Sequence, residues 1–326
     1  MPEPGSPAHA SRARIVAAFA AVYVVWGSTY LAIRYAIETL PPFLMAATRF
    51  LVAGALLYGW ARWRGARAPR RADWKYAMAA GGLLLLGGNG AVVWAEQHVP
   101  SGLAALLIAT VPLWMVILEW VGPRGRRPGR RVVAGLCAGF AGLALLVGPG
   151  EILGRGQVDP VGALVLVLGA LSWATGSLVS RSLKPSTSPL LLTAMNMLGG
   201  GALLLAAGVA AGELGRLHPG AFSARSVLAL AYLIVAGSLV GFTSYLWLLR
   251  ATSPARVSTY AYVNPVVAVL LGWALAGEPL TPRVLVAAMT IVGAVAVIVT
   301  PRALLAGVPG LRNLAPGAAA RDGVGV

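Results

Sequence analysis

Residues 15–36 read IVAAFAAVYVVWGSTYLAIRYA, and this stretch decides the fold class. It is long and apolar enough to cross the hydrocarbon core of a bilayer, because a spanning helix needs about 20 apolar residues. Nine further apolar runs follow, separated by short polar joints with turn-forming Pro and Gly residues. The sequence therefore predicts an all-α integral membrane protein with ten transmembrane helices, at residues 15–36, 43–61, 76–95, 102–120, 132–147, 161–179, 190–211, 227–249, 257–276 and 284–300.

The composition excludes an ordinary soluble domain. Hydrophobic residues make up 58% of the chain and charged residues only 11%, whereas soluble domains carry about a quarter charged residues. On a soluble protein the formal net charge of +16 would suggest a nucleic-acid partner. Here the basic residues lie in short joints between apolar runs, as they do in the cytoplasmic loops of membrane proteins. We therefore expect the lipid bilayer and a small organic substrate as partners, and no nucleic acid.

The residues that usually hold metals are few and scattered. Cys137 is the single cysteine, and His9, His98 and His218 lie far apart in the chain. Neither residue type forms a ligand set with metal-binding spacing. We therefore expect no metal site, no cofactor and no catalytic residues.

The distribution of Lys and Arg predicts the orientation. With the N-terminus in the cytoplasm, the inside segments hold 20 basic residues and the outside joints hold four. Cytoplasmic loops of membrane proteins carry such an excess. The sequence therefore predicts a multi-pass protein of the bacterial inner membrane with both termini in the cytoplasm.

Two parts of the chain resemble each other. Residues 26–34, WGSTYLAIR, match residues 173–181, WATGSLVSR, at an offset of 147. Later matches share an offset of 153 and include Gly88 with Gly241, Trp94 with Trp247, and Pro112 with Pro265. Each repeat holds five predicted helices. Because five is odd, the second repeat must insert upside down relative to the first, which is an architecture of many secondary transporters.

The repeat divides the chain into five segments. We expect a cytoplasmic N-terminal segment at 1–14, a first five-helix repeat at 15–148 and a periplasmic linker at 149–159. A second five-helix repeat follows at 160–300, and a Gly-, Ala- and Pro-rich cytoplasmic tail at 301–326 is expected to be disordered.

Motifs in this order resemble the EamA-type family of the drug/metabolite transporter superfamily, over residues 15 to 300. The stretch from Asn89 to Pro112 is especially similar to a bacterial inner-membrane subgroup of drug/metabolite exporters. The matching features are Trp26-Gly-Ser-Thr-Tyr30, Arg49-Phe50, Pro112, the glycines Gly135, Gly139 and Gly142, Asn264-Pro265, and Gly277-Glu278-Pro279-Leu280-Thr281. The resemblance implies two EamA-like repeats, with the fifth and tenth helices outside a central cavity.

The sequence departs from the family pattern in one joint. The family usually has a Gly-Glu pair after the fourth helix of the first repeat, where this chain has Gly125-Arg126. The second repeat keeps Gly277-Glu278. Any role of the first glutamate is therefore in doubt here.

Polar and aromatic side chains within the predicted spans are the candidate substrate-binding residues. Trp26 and Tyr30 are four residues apart and share a helix face, as do Trp173 and Ser177 in the second repeat. Substrate contact and helix packing both explain such stripes. The predicted cavity is lined by the first, third, fourth, sixth, eighth and ninth helices, with Trp26, Tyr30, Asn89, Trp173, Ser177, Tyr245, Tyr260 and Asn264 as its substrate-binding residues.

Two charges and two prolines complete the predicted site. Arg49 lies about seven residues inside the second span, where it either extends to the outer interface, binds an anionic group or pairs with Glu96. Glu96 lies at an outer helix end and is either solvated or functional. Pro112 and Pro265 lie within spans, where we expect them to kink their helices.

The predicted function is secondary transport by alternating access, with export of small organic metabolites or drug-like amphiphiles. The main alternative is a polytopic membrane enzyme acting on lipid-linked or amphipathic substrates, which would need a catalytic cluster at the membrane edge. The sequence leaves open a homodimer.

Overall fold

The computed structural model describes residues 12–122, 129–147, 159–182, 187–252, 257 and 260–299. Within these residues the chain is helical and contains no strand. The predicted tail at 301–326, residues 149–158 of the predicted linker and the Gly125-Arg126 joint lie outside them. Ten helical segments run in chain order: α1 (Arg12–Ala36), α2 (Pro42–Trp63), α3 (Arg71–Ala95), α4 (Ser101–Val121), α5 (Arg130–Val147), α6 (Pro160–Ser182), α7 (Pro189–Ala210), α8 (Ala224–Ala251), α9 (Tyr260–Ala276) and α10 (Pro282–Val299).

Seven helices in the described part of the chain are long and apolar enough to cross a membrane. They are α1 to α4 and α6 to α8, judged by length and composition. The helices α9 and α10 contain shorter apolar stretches, Val263–Ala276 and Pro282–Ala294. The protein is therefore an all-helical, multi-pass membrane protein, and the number of ten spans stays a prediction.

Two helices contain a wide π-helical stretch, at Gly82–Gly90 in α3 and at Leu233–Phe242 in α8. π-Helical turns are rare and are frequently found at functional sites. The α3 stretch reads GLLLLGGNG, and its small residues let α6 approach closely. Ser172 of α6 donates a hydrogen bond to the Leu83 carbonyl (2.8 Å), and Trp26 of α1 donates one to the Gly237 carbonyl in α8 (3.1 Å). Each π stretch thus accepts a hydrogen bond from the other half of the chain.

Helix α4 is interrupted near its middle. Its first part ends at Ile108, Ala109 and Thr110 form a turn, and the second part begins at Val111. Pro112 occupies the first turn of the second part, where its missing N–H removes no hydrogen bond within that part. The structure therefore has a discontinuity at the position where Pro112 predicted a kink, whereas α9 stays helical through Pro265.

Two acidic residues from joints of the second half bind helix starts in the first half. Glu213 accepts hydrogen bonds from the backbone N–H groups of Phe43 (3.1 Å) and Leu44 (2.9 Å) at the start of α2. Glu278 accepts from the backbone N–H groups of Ser101 (2.8 Å) and Gly102 (3.0 Å) at the start of α4. The first N–H groups of a helix have no partner within it, and a carboxylate also suits the positive end of the helix dipole.

Equivalent helices of the two halves pack in related ways. Helix α2 packs against α7, and α5 packs against α10. Helix α1 contacts α8 and α9, while α6 contacts α3 and α4. The largest fully buried side chains include Phe50 of α2, Leu85 of α3, and Phe242 and Tyr245 of α8.

Candidate substrate cavity

A cavity opens between helices of both halves. In this conformer the cavity holds about 60 Å³. Pockets that hold organic ligands commonly measure about 300–1,000 Å³ and are lined mainly by apolar and aromatic groups, so the cavity has the lining of such a pocket and the volume of a closed one. The lining comes from α1, α2, α3, α4, α6, α8 and α9: Trp26, Thr29, Tyr30, Ile33, Arg49, Phe50, Leu85, Gly88, Asn89, Val92, Ile108, Trp173, Gly237, Phe242, Tyr260 and Asn264.

Aromatic rings form a continuous wall of this cavity. The Trp26 ring lies 5.5 Å from the Trp173 ring and 5.5 Å from the Tyr260 ring, both in edge-to-face geometry. Phe242 lies 6.3 Å from Trp173 and 6.4 Å from Phe50. Such pairs stabilise one another beyond the area that they bury. The rings are therefore fixed in place before any ligand arrives.

The two central tryptophans occupy reciprocal positions. Trp26 packs against Gly241, where an added Cβ would lie 2.8 Å from its Cδ1 atom. Trp173 packs against Gly88, where an added Cβ would lie 2.8 Å from its Cε3 atom. Each tryptophan thus packs on a glycine of the opposite half. The sequence comparison had matched the same residues, Trp26 with Trp173 and Gly88 with Gly241.

Arg49 lies inside the bundle with a side chain that is 3% exposed. Its Nε donates a hydrogen bond to the Ser238 hydroxyl (2.8 Å), and its guanidinium lies 4.6 Å from the centre of the Phe50 ring. Among the described residues its Nη1 has no hydrogen-bond partner. Among the described residues no ion pair joins Arg49 to Glu96, so this structure favours the alternatives in which Arg49 does not pair with Glu96.

Glu96 directly follows α3 and is 3% exposed, so it is not the solvated side chain that was one of its interpretations. Neither of its carboxylate oxygens has a hydrogen-bond partner within the described part of the protein. Burial raises the pKa of the Glu96 carboxyl well above its ordinary value, the charge of Glu278 raises it further, and Arg34 opposes the shift. Glu96 does not line the cavity.

Six of the eight predicted substrate-binding residues line the cavity: Trp26, Tyr30, Asn89, Trp173, Tyr260 and Asn264. Asn89 reaches it from the π stretch of α3, and its Oδ1 has no partner among the residues that the structure describes. The Asn264 amide, in the orientation that satisfies it, donates to the carbonyls of Tyr260 (3.3 Å) and Tyr23 (3.2 Å). Asn264 is therefore engaged by the protein itself.

The other two predicted residues lie behind the wall. The hydroxyls of Ser177 and Tyr245 are 2.7 Å apart and share a hydrogen bond. Tyr245 is fully buried, and its ring contacts Trp26, Trp173 and Tyr260 at 4.9–5.6 Å. In this structure both side chains support the aromatic wall instead of facing the cavity.

Helix α2 lines the cavity although it was absent from the six predicted helices. It contributes Arg49 and Phe50. The signal was present, because the charge of Arg49 within an apolar run already favoured an interior position. Phe242 was also missed, since its place in a mainly apolar run gave no hint of the π stretch that contains it.

Comparison with known proteins supports this architecture. The model of the EamA-like transporter family matches residues 13–148 and again residues 160–300. The "Uncharacterized inner membrane transporter YedA" of Escherichia coli K12 is 39% identical over 273 residues, covering 80% of this chain and 82% of that protein. The "Uncharacterized transporter YvbV" of Bacillus subtilis is 24% identical over 291 residues, covering 89% and 92%.

A solved crystal structure also shares the fold. It aligns with a TM-score of 0.62 and 22% identity, covering 88% of this chain and 98% of that chain. At this identity the likeness concerns the fold alone. The family match spans nearly all the described helices, and the similarity to YedA extends over four fifths of the sequence. This chain belongs to the EamA-like transporter family.

Proposed function

We propose that this protein is a secondary transporter of the bacterial inner membrane that exports small organic metabolites or drug-like amphiphiles by alternating access. The observation that carries the proposal is the aromatic cavity between the two halves, to which seven helices contribute. Its lining suits organic molecules with apolar bodies better than inorganic ions.

The reciprocal contacts of the two halves support a site on a pseudo-two-fold axis. Transporters built from inverted repeats place their substrate where the repeats meet. Trp26 and Trp173, which match by sequence, are in contact at 5.5 Å, and each packs on a glycine of the other half. Rocking of one half against the other would change the shape of the cavity between them.

The names of the similar proteins favour transport over the enzymatic alternative. Several relatives carry the word transporter, including YedA and YvbV. The polar groups of the described cavity lining are one guanidinium, hydroxyls, amides and indole N–H groups. Groups of these kinds can orient an organic ligand. The proposal includes both termini in the cytoplasm and allows a homodimer.

Transport by purified protein in liposomes tests the proposal. Vesicles are loaded with a panel of metabolites and amphiphiles, and efflux and uptake are followed with and without a pH gradient. We expect at least one compound to move faster than in protein-free vesicles. Equal rates with and without protein across the panel would contradict the proposal.

Variants connect that transport to the cavity. We expect Trp26→Ala, Trp173→Ala and Tyr260→Ala to slow transport of the same compound at unchanged expression. Trp63→Ala is the matched control, because Trp63 is 76% exposed near the end of α2. Normal transport by all three cavity variants would show that the cavity is not the transport site.

A further inference from the structure

The cavity contains a positive charge, that of Arg49, which forms no ion pair with the described residues. A guanidinium has five N–H donors, and the Nε donor of Arg49 is bonded to Ser238. Nη1 has no partner among the described residues. Nη2 lies against Gly237, where an added Cβ would be 2.8 Å away, so the glycine provides the room for the guanidinium.

The acidic side chains of the neighbouring helices do not neutralise this charge. The cavity lining contains no Asp or Glu among its described residues. Glu278 is bonded to the start of α4 and forms an ion pair with Arg34. The other described ion pairs join Arg181 to Glu119 and Arg225 to Glu38. A buried, unpaired charge in a membrane protein is costly, so such residues commonly mark a substrate or ion site.

The aromatic wall begins at this charge. The guanidinium lies 4.6 Å from the Phe50 ring centre, and rings then follow one another through Phe242 and Trp173 to Trp26. Successive ring centres along this path are 5.5–6.4 Å apart. A ligand anchored at Arg49 would therefore extend along a row of aromatic rings.

We propose that the cavity binds an aryl carboxylate, a flat aromatic molecule with one carboxylate that accepts hydrogen bonds from the guanidinium of Arg49. Arginine suits a planar carboxylate because its donors form a rigid fork. The lining holds one cation within the described residues, which matches a ligand of one negative charge. This inference rests on the proposed transport function and names its substrate class.

Binding of four simple probes to the full-length protein in nanodiscs tests the inference. Phenylacetate carries both predicted features. Phenylacetamide replaces the charge with a neutral amide, phenethylamine reverses the charge, and acetate removes the ring. We expect calorimetry to give phenylacetate a Kd at least about tenfold lower than that of each of the others, since charge-assisted hydrogen bonds are the stronger ones.

Variants of Arg49 assign the selectivity to its guanidinium. Arg49→Leu should remove the preference for phenylacetate, whereas Arg49→Lys should keep part of it. Arg181→Leu is the matched control because Arg181 is 49% exposed at the end of α6, and it should bind as the wild type does. If Arg49→Leu fails to fold, the relative affinities of the wild-type protein for the four probes decide whether the inference stands.

Several results would overturn the inference. They are absence of phenylacetate binding, equal affinity for phenylacetate and phenylacetamide, equal affinity for phenylacetate and acetate, and unchanged phenylacetate affinity in folded Arg49→Leu.

Liposome transport of the same probes separates this inference from the proposed function. Transport of phenethylamine or phenylacetamide without preference for phenylacetate would overturn the inference and leave transport standing. Selective, Arg49-dependent binding of phenylacetate without transport of any probe would support the binding site and contradict the transport function.

Discussion

The two halves of the cavity wall share their shape but differ in chemistry. Trp26 rests on Gly241 and Trp173 rests on Gly88, and in both pairs a Cβ added to the glycine would lie 2.8 Å from the nearest ring carbon. At the offset of 147, however, Arg49 of the first half corresponds to Asn196 of the second. Asn196 is 1% exposed and does not line the cavity.

A similar difference holds in the π stretches. At the offset of 153, Asn89 of α3 corresponds to Phe242 of α8, and both line the cavity. One half therefore supplies the charge and an amide, while the other supplies an additional ring. The repeat thus determines the form of the wall, whereas departures from the repeat determine which ligand it can hold.

Removal of Glu278 should have the largest effect on stability, because its buried carboxylate accepts three hydrogen bonds from Ser101 and Gly102. The first half has Arg126 where the family usually has glutamate. Glu278→Ala would leave the N–H groups of Ser101 and Gly102 without their buried acceptor. We expect a loss of about 2–4 kcal/mol in unfolding free energy, measured by thermal unfolding in detergent.

The control for this prediction is Glu119→Ala, since the Glu119 side chain is 58% exposed. Its effect should stay within about 0.5 kcal/mol, as for most surface substitutions. Equal effects of the two substitutions would show that Glu278 does not stabilise the start of α4.

Alanine at the two wall glycines should have the next largest effect. In Gly88→Ala and Gly241→Ala the new methyl group would overlap a tryptophan ring that other rings hold in place. Overpacking of this kind costs about 1–3 kcal/mol. Thermal unfolding should give similar losses for both variants, and transport should fall in both.

Gly59→Ala serves as control, because an added Cβ there meets no atom within 4 Å. A large loss of unfolding free energy in one of the variants Gly88→Ala and Gly241→Ala and none in the other would show that the two glycine–tryptophan contacts are not equivalent.

The buried carboxyl of Glu96 predicts a smaller, pH-dependent effect. Its pKa is raised in the folded protein, so the folded state binds its proton more tightly than the unfolded state does. The contribution of Glu96 to the unfolding free energy is therefore largest below the unfolded pKa of about 4.3. It falls as pH rises toward the folded pKa, by at most about 1.4 kcal/mol per pH unit.

Unfolding of the wild type and of Glu96→Gln is measured between about pH 4, near the ordinary pKa of a glutamate, and about pH 8. These measurements test the direction in which the unfolding free energy changes with pH. The unfolding free energy of the wild type should fall relative to that of Glu96→Gln as the pH rises. A pH-independent difference would mean that Glu96 keeps an ordinary pKa.

Labelling of two equivalent joints tests the inversion of the halves without changing stability or transport. Arg70 precedes α3 and Arg216 precedes α8, so both belong to the joint between the second and third helices of a half. In a Cys137→Ser background, Arg216→Cys should react with an impermeant thiol reagent from outside, and Arg70→Cys only from inside. Reaction of both from one side would show that the halves are not inverted.

The sequence was sufficient for the helices and for much of the cavity, for identifiable reasons. Apolar length locates a helix, and spacing at i and i+4 places Trp26 and Tyr30 on one face. The same spacing could not show that Ser177 lies behind Trp173, because this depends on the neighbouring ring of Tyr245. The extra width of a π stretch changes which side chains face inward, and an apolar run such as 233–242 contains no mark of it.

The glutamates that hold helix starts have a consequence for the populations of conformers. Glu213 and Glu278 together accept hydrogen bonds from four backbone N–H groups, and Glu278 also accepts one from the Ser101 hydroxyl (2.7 Å). Under alternating access, separating the halves at the end of the helix bundle that contains Glu213 and Glu278 would break these hydrogen bonds. A net cost of about 3 kcal/mol would keep the conformer open at this end below about 1% of molecules. A substrate would have to bind that conformer more than about 100-fold more tightly than the closed one before it became the main species.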